Sequence, residues 1–155
     1  MSYNSKRMIS CMVASIILFV AYIIYALGSR SPQADDLRGW AIAILIFIGI
    51  GIAAVIVIMI LFHIVFSAAV AIKEGESEVE RIVASHTFED ERDKLIELKA
   101  SKIGYVFAGI GFLAALTALA FTAPPVIALH ILFGSFAFGS FIEGGVSIYL
   151  YERGI

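Results

Sequence analysis

The chain has 155 residues, 61% of them hydrophobic and 15% charged, with a formal net charge of −2 and a mean hydropathy of +0.97. Ordinary soluble domains are about 45–50% apolar and about 25% charged, and one of this size still leaves roughly 30% of its unfolded surface in water. The composition therefore excludes a soluble fold, a disordered chain and a nucleic-acid binder with a basic face, and leaves an integral membrane protein.

A membrane-crossing helix needs about 20 mainly apolar residues. The first such stretch, 8–27, carries no charge and follows Lys6 and Arg7. It is longer than the 7–15 apolar residues usual in a cleaved signal peptide, and Ser29-Arg30-Ser31-Pro32 is a poor cleavage site. It is expected to stay as the first span, about 8–28. Cys11 lies inside it and is the chain's single cysteine, so no internal disulfide can form and a buried thiol is expected.

The second stretch, 40–72, is again free of Asp, Glu, Lys and Arg. At 1.5 Å per residue it would reach about 50 Å, well beyond the roughly 30 Å hydrocarbon core. The helix is expected to cross over about 39–66, with Trp40 as an interfacial anchor, and then to project and break near Gly75.

The connection 73–102 holds nine acidic and six basic side chains plus His86. It is too charged to bury. Val79, Ile82 and Val83 fall at helical spacing, and Thr87 stands as an N-cap ahead of a second helix. That helix can run from Glu89 into the third span unbroken, acids first and bases last, as the helix dipole favours.

The third span is expected at about 103–122 and the fourth at about 126–149. Thr122-Ala123-Pro124-Pro125 leaves no room between them except for a tight turn, so they are antiparallel neighbours. Lipid gives helices no hydrophobic reason to associate, so small residues mark their contacts. Gly104, Ala108, Gly111 and Ala115 form such a stripe on the third span, and Ser135 and Gly139 lead to Glu143 at steps of four on the fourth. These two stripes are expected to face each other. Ser10, Ala14, Ala21 and Gly28 make a weaker version in the first span.

Orientation follows from Lys and Arg. Nine lie in the N-terminal tail, the second connection and the C-terminal tail, against two, Arg30 and Arg38, in the first connection. Both termini and 73–102 are thus expected in the cytoplasm, in an all-α, four-helix transmembrane bundle forming one membrane domain over 1–155. The plasma membrane of a bacterial cell is the expected location.

Three ionisable groups fall in or near the bilayer: His63, His130 and Glu143. An intramembrane ionisable group is costly unless paired or neutralised. His63 and Glu143 share the cytoplasmic half and can pair if their spans touch there, whereas His130 lies near the outer face. Two imidazoles at different depths do not make a haem site, and the three or four ligands of a zinc site are missing. No metal or cofactor is expected.

Asp90-Glu91-Arg92-Asp93, then Ile96, Lys99-Ala100 and Tyr105, resembles the signature of a family of small bacterial and archaeal membrane proteins of unassigned function. The resemblance covers about 86–122. It implies a short multi-span protein, in many members encoded beside a small helix-turn-helix regulator, and it implies no catalytic residues.

No nucleophile-and-base pattern, metalloprotease motif or phosphate loop occurs, so an enzyme is not expected. The leading expectation is an interaction or regulatory module that offers Asp90, Glu91, Arg92, Asp93 and Lys99 to a cytoplasmic regulatory protein. A solvated helix with internal salt bridges, or Arg92 folded back onto Glu143, are the plainer readings of that segment. The alternative function is a small oligomeric proton-coupled transporter or channel using Glu143. Lipid is the surrounding partner, self-association is compatible with the small-residue stripes, and no direct contact with nucleic acid is expected.

Overall fold

The computed structural model describes residues 3–74 and 91–153. Among these, every regular element is a helix: α1 (Tyr3–Leu27), α2 (Leu37–Glu74), α3 (Glu91–Ala120) and α4 (Pro125–Arg153). Each is long and apolar enough to cross a membrane. The segment with Thr87, Val79, Ile82 and Val83 lies outside the described residues.

Local chemistry sets the helix ends. The Gly28 N–H donates to the Tyr25 carbonyl at 3.1 Å as α1 finishes. Asp36 caps α2, accepting the Gly39 N–H on Oδ1 at 2.9 Å, the usual way to satisfy a first-turn donor. α2 then runs 38 residues, about 57 Å at the α-helical rise, well over the roughly 30 Å depth of a hydrocarbon core. α3 passes from its charged first turns into its apolar part as one helix of 30 residues.

The turn from α3 to α4 is a Schellman motif. The Ala123 N–H reaches the Ala118 carbonyl at 3.0 Å, and the Thr122 N–H reaches that of Leu119 at 3.0 Å. Thr122 takes the left-handed position, with φ 62°. Pro125 opens α4, where its missing N–H costs nothing.

α4 is the central helix. α3 packs along one side of it, and α1 and α2 pack on the other; among the described residues α3 touches neither α1 nor α2. α1 meets α4 through large side chains rather than a small stripe. Met12 lies against Gly144, Phe19 is edge-on to Phe141 at 5.6 Å between centroids, and Tyr22 sits 4.5 Å from Phe133. Of the weaker stripe expected in the first span, Ala21 and Gly28 are exposed. Leu18 packs at Gly51 of α2, where an added Cβ would come within 2.9 Å of Leu18 Cδ2.

Trp40 stands at the end of its span, as an anchor should, but it is turned inward and only 6% exposed. Its indole Nε1 donates to the Gln33 carbonyl at 2.9 Å, and its ring meets His130 edge-on at 4.5 Å. An indole with a protein acceptor within reach has no need of the headgroup region.

Candidate functional site

The small residues of α3 and α4 form one seam. A Cβ on Gly139 would come within 2.8 Å of the Gly104 carbonyl oxygen, which is backbone against backbone. A Cβ on Gly111 would overlap the Cβ and Oγ of Ser135. Ser135 turns its hydroxyl to the Leu132 carbonyl of its own helix at 2.8 Å. Ala115 is buried along the same line, while Ala108 is half-buried. The seam continues past the apolar part of α3, because Ile96 and Ala100 are buried as well, Ala100 completely (0% exposed).

Glu143 lies in this seam. Ser101 of α3 donates its hydroxyl to Glu143 Oε1 at 2.6 Å. The other carboxyl oxygen lies over Gly104, where a Cβ would approach it to 2.9 Å. A Cβ at this position would oblige the carboxyl to shift. One turn further along α4, Ser147 is 1% exposed, and its hydroxyl has no hydrogen-bond partner among the described residues. The Ser101–Glu143 pair can hold the two helices in register.

The other candidate groups lie apart from it. Arg92 is about nine residues from Ser101 on a continuous helix, or about 13 Å along the axis, beyond the reach of a side chain folding back onto Glu143. His130 is about thirteen residues, roughly 20 Å, from Glu143 on α4. Its Nδ1 is 2.7 Å from the Val126 carbonyl; a carbonyl only accepts, so Nδ1 carries the proton. His63 belongs to α2, but its side chain is outside the described residues, as is Asp90. Among the described residues no three His, Cys, Asp or Glu side chains gather as metal ligands would.

The first turns of α3 form a second surface. Glu91, Arg92 and Lys99 are exposed and Asp93 is half-exposed. Sequence reasoning missed two of their neighbours: Leu95 is 57% and Leu98 67% exposed. The signal was present, since both leucines sit off the Ile96–Ala100 line within a charged run. The far end of α4 lies alongside, with the Arg153 guanidinium 4.8 Å from the centre of the Tyr149 ring.

Comparison with known families, characterised proteins and solved structures returns no match to this chain. The class of protein therefore rests on its architecture: a membrane protein with four long apolar helices among the described residues, the third of which carries a charged extension into one seam with the fourth.

Proposed function

We propose that this protein is a membrane-embedded interaction module, displaying the first turns of α3 to a soluble regulatory protein in the cytoplasm. The observation that carries the reading is the pairing of exposed Leu95 and Leu98 with exposed Glu91, Arg92 and Lys99 on one stiff helix. Apolar anchors ringed by mixed charge are what a specific docking surface uses. The α3–α4 seam would hold that helix at a fixed angle to the membrane. The surplus of Lys and Arg at this end supports a cytoplasmic position with both termini on the same side, and the plasma membrane of a bacterium is the proposed location.

The test uses the full-length protein in detergent or nanodiscs. A stoichiometric cytosolic partner should co-purify with the wild type and be lost from both Arg92→Glu and Leu98→Lys, each still inserted at wild-type level. Capture that survives both substitutions would refute the reading.

The 2.6 Å Ser101–Glu143 bond favours a second reading, an oligomeric proton-coupled transporter. Proton-coupled flux in proteoliposomes that disappears in Glu143→Gln would support it, and wild-type flux in that variant would remove it.

A further inference from the structure

Below the Trp40–His130 contact, α1, α2 and α4 enclose a cleft of about 490 Å³, whose walls include Phe19, Phe47, Ile48, Phe133, Ala137 and Ser140. We propose that this cleft holds one acyl chain of a bilayer phospholipid.

Depth comes first. Along α4 the lining reaches from Leu129 to Phe141, about 18 Å at the helical rise, against roughly 15 Å for half of a 30 Å hydrocarbon core. The cleft is thus about as long as one leaflet's hydrocarbon is deep, and it lies toward the end of α4 where the two short turns are. Toward those turns stand two ring contacts, Trp40 with His130 at 4.5 Å and Tyr22 with Phe133 at 4.5 Å. A chain must enter from the side, out of the surrounding lipid.

Chemistry selects the occupant. Among the described residues that line it, Ser15 and Ser140 are the only polar side chains, and Ser15 is already engaged with the Cys11 carbonyl at 3.0 Å. Water needs two to four polar partners, so it is a poor filler here. A helix from a second copy is about 10 Å across, and a length of it matching the cleft would displace on the order of 1,400 Å³. The whole empty space of the cleft, its open side included, is about 1120 Å³, less than such a helix would need. It is about three times the roughly 150 Å³ apolar cavity that takes up benzene, a scale that suits a hydrocarbon chain.

The chain's single tryptophan, Trp40, reads the occupant directly. It is shielded from the surrounding lipid, at 6% exposed, and stands one helical turn from Ile44 of the cleft wall, so bromines on a chain within the cleft quench it more than bromines in bulk lipid. Full-length protein is reconstituted in vesicles of phosphatidylcholine with and without dibrominated acyl chains. Wild-type fluorescence should fall in the brominated vesicles. Ala137→Phe and Ile48→Phe, each filling the cleft from a different helix, should cut that quenching at least twofold with the Trp40 emission maximum unchanged. Native mass spectrometry should show one retained phospholipid on the wild type and its loss from the filled variants. Ile48 lies at an exposed position, so its variant keeps the test open if Ala137→Phe does not fold. Quenching of equal size in the wild type and the folded variants, or none in the wild type, overturns the proposal.

Discussion

Ser101 and Glu143 are joined by a 2.6 Å hydrogen bond across the α3–α4 seam. The hydroxyl of Ser101 supplies Oε1 with a donor in a half-buried place where water competes poorly. Ser101→Ala should therefore cost about 1–3 kcal/mol, the usual penalty for stranding a buried acceptor. Glu143→Gln keeps an oxygen for Ser101 and should cost less than Ser101→Ala. Reversible unfolding in SDS–lipid mixtures, followed by helical circular dichroism, measures both. A larger loss in Glu143→Gln than in Ser101→Ala would mean that charge, not the hydrogen bond, dominates.

The seam predicts a sharp contrast between glycines. Gly139→Ala forces a Cβ toward the Gly104 carbonyl, and backbone cannot swing aside as a side chain can. A loss of about 1–3 kcal/mol is expected, as for other overpacked contacts. At Gly109 and Gly134 a Cβ would meet nothing within 4 Å. Alanine there should be neutral or stabilising by up to about 1 kcal/mol through helix propensity alone. Thermal stability of the three variants in one detergent decides the ranking.

Thr122 holds a left-handed backbone conformation at the turn between α3 and α4. That region disfavours β-branched residues and suits glycine. Thr122→Gly should stabilise the protein by about 1 kcal/mol, seen as a higher midpoint of unfolding, because the Schellman hydrogen bonds come from the backbone and survive the change. A lower midpoint would show that the Thr122 hydroxyl, which donates to the Phe121 carbonyl at 2.7 Å, matters more than the strain.

Ser147 is buried with its hydroxyl unsatisfied among the described residues. Removing such a group without leaving a partner behind is favourable. Ser147→Ala should be neutral or stabilise by up to about 1 kcal/mol in the same unfolding assay. A clear destabilisation would reveal a hydrogen bond formed with a group beyond the described residues.

The four helices were legible in the sequence because crossing a bilayer demands length and apolarity, and both can be counted along 8–27 or 40–72. The α3 stripe was visible because Gly104 and Gly111 share a face whatever the partner. What could not be read was where larger side chains go. Trp40 fits a headgroup belt by type, yet Gln33 happens to offer a carbonyl and His130 a ring edge, and neither follows from local pattern. Likewise Met12, Phe19 and Tyr22, rather than Ala21 and Gly28, form the contact of α1, since one apolar helix face looks like another until its neighbour is known. Leu95 and Leu98 were hidden among charges for the opposite reason: a leucine in a helix is first assumed to belong to the core.

The central place of α4 has a consequence for biosynthesis. Of the four spans it is the last to leave the ribosome, and it is the helix on which the others converge. The α1–α2 hairpin can form early, but among the described residues α3 packs on α4 alone, so its glycines would face acyl chains until α4 arrives. Final assembly is thus a late, side-to-side event between helices already inserted, and any delay in delivering the last helix prolongs the interval in which a quality-control protease could seize α3.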